Sequence, residues 1–249
     1  MLFRPSRRVL SVSLDIALLA APVLLIVQAR NIAGAVWLAP MVLRVTLFGR
    51  VLAAQWLALA LARGLARRGG GWPCLLLCAA ATGLQVLHLH GYAMEGRLGP
   101  LTASDLLHLL AGAAWLGGLL PFALALRGLP VTPAAALTRR FSRLAMGCVL
   151  VLAVTAAYQG TVMVGSARAL AVTDYGWTAL AKLALFGVLL AFALRNRFRL
   201  LPPLGSGGAA STRALVRSVL TEAAVGLLLV LLAALLAALP PSMVMEEGG

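Results

Sequence analysis

The sequence predicts an all-α, polytopic membrane helical bundle, and three observations carry that reading. The 249 residues are 62% hydrophobic and only 11% charged, with a mean hydropathy of +0.98. Lipid solvates that much apolar surface, whereas a soluble domain has no way to bury it. The apolar residues come in continuous runs of Ala, Leu and Val instead of the period-two alternation of a membrane barrel. The arginines fall between those runs, where they report topology.

Seven runs approach the length needed to cross a bilayer: about 9–29, 40–62, 73–92, 104–126, 142–165, 176–195 and 216–239. The first follows Arg4, Arg7 and Arg8 and lacks a cleavage motif, so it reads as a retained signal-anchor helix. Basic links alternate with poor ones. Arg63, Arg67 and Arg68 follow the second run; Arg127, Arg139, Arg140 and Arg143 follow the fourth; Arg195, Arg197, Arg199, Arg213 and Arg217 follow the sixth. The other links hold Arg30, Arg97 with Glu95, Arg168 with Asp174, and a tail with Glu246 and Glu247. By the positive-inside rule the N-terminus is cytoplasmic and the C-terminus periplasmic. The stretch 201–212, LPPLGSGGAAST, reads as a flexible cytoplasmic linker within a single integral membrane domain spanning 1–249. No internal repeat marks a duplicated transporter.

The net charge of +14 comes from 20 arginines and the single Lys182. No aromatic-interleaved basic patch accompanies it, so the partner is the lipid bilayer and not nucleic acid. No Ser/His/Asp arrangement, H-E-x-x-H or P-loop is present, and no enzymatic activity is expected.

All three histidines lie between Cys74 and Leu126: His88, His90 and His108. The predicted topology puts them near the outer face, where an imidazole at the edge of an apolar helix needs a reason. At 100° per residue Cys74, Cys78, Thr82, Gln85 and His88 share one face of the third run, with His90 nearly opposite. Cys148, Thr155, Gln159 and Met163 form a similar stripe on the fifth. Asp105, His108, Gly112 and Trp115 share a face of the fourth, so Asp105 could hold an imidazole N–H and fix its tautomer. Alternatively Asp105 is a first-turn acid with Ser104 as the cap.

Thiol, thioether and imidazole groups suit copper, above all Cu(I). The same small and mildly polar residues also serve helix packing, and Cys behaves as a small buried hydrophobe. Five of seven methionines (Met41, Met94, Met163, Met243 and Met245) fall on the predicted outer side. His88, His108, Met163 and His90 are therefore the candidate copper ligands. Gln85, Gln159, Cys78, Cys148, Asp105 and Trp115 are candidate pathway or supporting residues, with packing on glycines the default for Trp115. Among ionisable groups in or near the runs, Arg50 is expected to pair with Asp15 or Glu222, and Lys182 to lie nearer Asp105 or Asp174. Glu222 and Lys182 join the pathway candidates.

Four stretches stand out together: DLLHLLAGAAWLGGLL at 105–120, FSRLAMGCVLVLAVTAAYQG at 141–160, TDYGWTALAKLALFGVLLAFALRNR at 173–197 and RSVLTEAAVGLLLVLLA at 217–233. Through them the sequence resembles the CopD/PcoD family of bacterial inner-membrane copper proteins. TLFGR at 46–50 adds a weaker match, for a core of about 42–239. The resemblance implies copper transport or handling at the inner membrane, often beside a periplasmic CopC-like copper-binding partner. By motif match, His108, Trp115, Gly117, Gly118, Tyr175, Lys182 and Glu222 correspond to family positions. The family has eight spans where seven are found here. Its third-span Gly-His-Ala is replaced by His-Leu-His-Gly, which leaves both His88 and His90 open as the matching histidine. A membrane cytochrome holding a single haem b between two histidines is the alternative. A factor that delivers copper (as Cu(I) or Cu(II)) without transporting it is another.

Overall fold

The computed structural model describes residues 7–164, 166–205 and 208–238, and these contain helices and turns but no strand. The chain divides into two compact units, Arg4–Thr102 and a second from Ala103 onward. Five described helices are long and apolar enough to cross a membrane, or six when one bent pair counts as a single span.

The first unit starts with α1 (Arg7–Ala33), followed by α2 (Ala39–Val45), α3 (Leu47–Arg67) and α4 (Trp72–Leu84). A 3-10 turn (Gln85–His88) and the short α5 (His90–Glu95) complete it. Leu14 on α1, Ala62 and Ala66 on α3 and Cys74 on α4 form its small buried core. Asp15 accepts from Arg63 Nε at 2.7 Å and from its Nη2 at 3.1 Å. The two-pronged pair ties α1 to α3, whereas Arg50, the expected partner, is exposed. Arg63 wins because two parallel N–H groups meet both carboxylate oxygens there.

Two predicted spans are broken. The run 40–62 is α2 and α3 meeting at 85° across Thr46. The run 73–92 stops at Leu89, whose extended backbone (φ −96, ψ 164) separates the 3-10 turn from α5. Tighter 3-10 winding advances 120° per residue, so the Cys74-to-His88 stripe loses its 100° phase over the last four residues. The remaining apolar helix, Trp72–His88, falls short of a full span.

The second unit contains α6 (Pro100–Leu126, from Ala103), α7 (Val131–Met163), α8 (Ala167–Val172), α9 (Asp174–Arg195) and α10 (Gly208–Ala238). Its core centres on Trp115, Leu119, Phe122 and Leu126 of α6, with Leu189 of α9 and Leu215 and Val219 of α10. Phe122 stacks on Phe141 of α7 with centroids 4.4 Å apart. A Cβ on Gly118 would press into the same Phe141 ring, which explains a glycine at that position. The stretch expected as a linker is helical on both sides of residues 206–207. Pro202–Gly205 is a 3-10 turn with Leu204 fully buried, and α10 begins at Gly208. Residues 206–207, Arg4, Met243, Met245, Glu246 and Glu247 lie outside the described residues.

One corner occurs in both units. Thr46 Oγ1 accepts from Gly49 N at 2.9 Å and donates to Val42 O at 2.7 Å. Thr173 Oγ1 accepts from Gly176 N at 3.0 Å and donates to Ala169 O at 2.7 Å. Each Thr is extended and caps a long helix against the short helix before it. A Cβ on Gly49 would overlap the Val42 and Leu43 backbone, and one on Gly176 that of Ala169 and Leu170. The shared sequence is only T-x-x-G (TLFG and TDYG), too short to show as a repeat from sequence alone.

The sequence placed the start of α6 too late. Pro100 opens the helix at a position where its missing N–H costs nothing. Glu95 then accepts from Leu101 N and Thr102 N, both at 3.0 Å, and from Thr102 Oγ1 at 2.8 Å. Ser104 and Asp105 therefore lie inside the helix, and Ser104 is not its cap. Desolvation raises the Glu95 carboxyl, but those donors outweigh it and hold the group below the ordinary carboxylate value. A depressed folded pKa means the cap is fully present above the unfolded carboxylate value and is lost as pH falls through the folded one. Hydrogen exchange at the Leu101 and Thr102 amides should accelerate over that acid interval. In Glu95→Gln the two amides should exchange with no such step; a step of unchanged size there would refute the cap.

Candidate functional site

In the second unit, three helices bring polar side chains together at the end where α6 begins, α7 ends and α9 begins. His108, on the third turn of α6 and one turn past the buried Asp105, places Nδ1 at 2.8 Å from Thr155 Oγ1. The Thr155 hydroxyl has one proton, and Val151 O at 2.7 Å takes it, as threonine hydroxyls do within helices. With that proton on Val151 O, the oxygen is open to accept from Nδ1 of His108, the tautomer in which Nε2 presents its lone pair. At this ring nitrogen the partner is Thr155.

Below that pair the α7 stripe continues. Gln159 Nε2 donates to Ser104 Oγ at 3.3 Å, and Met163, 7% exposed, accepts from the Tyr175 hydroxyl at 3.2 Å. Tyr175 is the third residue of the Thr173 corner, which aims its ring at the end of α7. Asp105 is 5% exposed and lies in electrostatic range of both Tyr175 and Lys182; Lys182 in turn acts on His108. The polar side chains at this end thus meet in pairs along α7, His108 with Thr155, Ser104 with Gln159 and Tyr175 with Met163, with Asp105 and Lys182 in electrostatic range of members of the row. The α7 stripe put Thr155 on the right face, but nothing in the sequence paired it with His108.

At the other end of the same unit, Glu222 of α10 is 2% exposed. Asn196 Nδ2 donates to it at 2.8 Å, and Ser218 donates to Asn196 Oδ1 at 2.5 Å. Arg195 Nη1 reaches Ser218 at 3.2 Å, and Arg197 Nη1 reaches Ser142 at 2.9 Å. Asn196 opens a five-residue π turn, Asn196–Leu200, whose wider winding points it across to α10. Glu222 also faces the Trp115 indole, whose buried N–H makes no hydrogen bond of ordinary geometry. Trp115 is 1% exposed and meets Phe186 edge-on at 6.2 Å. It packs on Phe186, with Glu222 as an added polar neighbour. A cavity of about 50 Å³ beside Glu222 and Asn196, bounded by Ser142 and Arg197, has room for water. Cys148 is a core residue, 8% exposed.

The first unit holds the other candidates. The His88 ring lies 4.8 Å from that of Phe48 and bonds to the Phe48 backbone, while its buried Nε2 has no hydrogen-bond partner. Phe48 occupies the same place in the Thr46 corner as Tyr175 does in the Thr173 corner. His90 opens α5 beyond the break at Leu89. Gln85 Oε1 accepts from Gln55 Nε2 at 3.1 Å, which also donates to Ala81 O at 3.0 Å. Cys74 donates to Ala62 O at 3.4 Å, and Cys78 is half-buried beside it. Among the described residues no three His, Cys, Asp or Glu side chains converge on one point that could hold a metal ion.

The family model for CopD, copper resistance protein D, matches residues 135–236. This segment belongs to the CopD family. It contains α8 and α9 entire and nearly all of α7 and α10, hence Thr155, Gln159, Met163, Tyr175, Lys182, Asn196 and Glu222. His108 and Trp115 precede the CopD match on α6, and His88 and His90 lie in the other unit. No curated protein and no solved structure matches the chain significantly. The CopD match over this segment and several membrane-length helices agree with a multi-pass membrane protein.

Proposed function

We propose that the protein moves copper across the bacterial inner membrane, capturing it at a periplasm-facing site built on His108 and Met163. The observation that carries this reading is the His108–Thr155 hydrogen bond. It leaves the Nε2 lone pair available, the form in which neutral imidazole binds metal, with the other ring nitrogen held by a fixed partner. Met163 adds a thioether suited to Cu(I) at the same end. The CopD match over α7–α10 supports copper as the cargo. His88, with one ring nitrogen on the Phe48 backbone and Nε2 unsatisfied, and His90 are separate candidate copper ligands within the first unit.

The arginine distribution supports seven crossings with the N-terminus inside, Trp72–His88 serving as a short third one. On that topology the His108 end of α6 is periplasmic, where a CopC-like protein would pass its copper.

Anaerobic titration with Cu(I) against a chromophoric chelator tests the site. His108→Ala and Met163→Leu should each weaken binding, and the His88→Ala/His108→Ala double variant should abolish it. Unchanged affinity in the double variant would sink the proposal. The optical spectrum of the same preparation decides against haem, since a bis-histidine haem b would give a Soret band. Vesicles loaded with a copper reporter separate transport from delivery: a delivery factor gives no protein-dependent uptake.

A further inference from the structure

We propose that the hollow lined by Arg139, Arg140, Arg143 and Arg197 binds the phosphate headgroup of an anionic phospholipid. The inference is independent of the copper site, which lies at the opposite end of the same unit.

Helix lengths set the depth of this hollow. The 33 residues of α7 extend about 50 Å at 1.5 Å per residue, well beyond a hydrocarbon core of roughly 30 Å. Counting about 20 residues back from Met163, the span ends near Arg143. The turns before it, with Arg139 and Arg140, project past the hydrocarbon. The helical run Asp174–Leu200 overshoots in the same way. About 20 residues after Asp174, its span ends at Arg195 and leaves the π turn beyond. Both overshooting ends are therefore at headgroup level, and the hollow lies between them.

Its chemistry fits a phosphate. Arg139 and Arg143 are one helical turn apart on α7, and Arg140 is three residues from Arg143, so the three guanidinium groups stand on neighbouring rows. Arg197 approaches from the π turn, where its bond to Ser142 at 2.9 Å holds the side chain in place. The lining contains no Asp or Glu. Of this unit's described acids, Asp105 and Asp174 are at the opposite end and Glu222 lines the adjoining cavity. Guanidinium forks match phosphate oxygens in pairs. Fixing four cations around one hollow is favourable when an anion sits among them.

A lipid is favoured over free phosphate by the apolar part of the wall. Phe198, 66% exposed, and Leu201 flank the arginines. At an interface these side chains meet the glycerol and upper acyl region of the lipid whose phosphate the arginines hold. Basic pockets between membrane helices recognise anionic lipids in this manner.

Thermal unfolding of the full chain in zwitterionic detergent tests the proposal, with phosphatidylglycerol, phosphatidylcholine or inorganic phosphate added. Phosphatidylglycerol near saturation should raise the midpoint by roughly 3–5 °C, and the other two should leave it unchanged. The triple variant Arg139→Gln/Arg140→Gln/Arg143→Gln should lose that rise. The control Arg199→Gln/Arg213→Gln/Arg217→Gln removes equal charge outside the hollow and should keep it. A rise retained in the first variant, or lost equally in the control, overturns the proposal. So does an equal response to inorganic phosphate, which would mark a free-anion site, or to phosphatidylcholine. Should the triple variant not fold, Arg143→Gln alone supplies the reading through a reduced rise.

Discussion

Replacing Thr155 by valine is expected to weaken Cu(I) binding by about ten- to a hundredfold, the usual effect of removing a ligand's supporting hydrogen bond. Valine keeps the shape and removes only the hydroxyl. Without it the His108 Nδ1 proton has no fixed acceptor, so the imidazole is free to turn or to place the proton on the ligating nitrogen. Thr155→Ser keeps the hydroxyl and should restore most of the affinity. That rescue separates positioning from packing, because serine packs worse than valine at this 6%-exposed position. The unfolding midpoint of Thr155→Val should move little, since helix hydrogen bonding still satisfies Val151 O once the hydroxyl is gone. A chelator-competition titration measures the affinities. Equal affinities for the wild type and Thr155→Val would remove Thr155 from the site.

The second large effect is expected at Glu222. Alanine there deletes the acceptor of Asn196 Nδ2, opens a cavity beside the buried Trp115 indole, and unties α10 from the π turn. Orphaning a buried polar group and leaving a void should cost about 2–4 kcal/mol. Glutamine retains a carbonyl for Asn196 and should stay within about 1 kcal/mol of the wild type. Equilibrium unfolding in mixed micelles gives both values. Equal losses in Glu222→Ala and Glu222→Gln would show that the charge, not the hydrogen bond, is what the fold needs. Neither substitution touches the His108 end, so Cu(I) affinity measured on the folded Glu222→Gln protein should be unchanged.

The residues themselves made much of this protein legible. Runs of Ala, Leu and Val without period-two alternation leave only a helical membrane class, because each backbone group in lipid must be satisfied within its own helix. The long helices of the second unit, α6, α7, α9 and α10, follow from that constraint, as does the placement of Cys148, Thr155 and Met163 on one buried α7 face. Breaks within helices were not visible in this way. Thr46 and Leu89 interrupt apolar runs without a proline, and the reasons are a hydroxyl that bonds two backbone groups and an extended residue between two histidines.

The tertiary structure decided which polar groups meet. Asp15 pairs with Arg63, His108 with Thr155, Met163 with Tyr175, and Glu222 with Asn196. Each pair joins different helices, so its formation depends on their relative depth and rotation, which local periodicity does not encode. A run of hydrophobic residues specifies its own helix because hydrogen bonding and burial are properties of that segment. A hydrogen bond between two such helices is a property of how they pack, and that is settled only when the whole unit has folded.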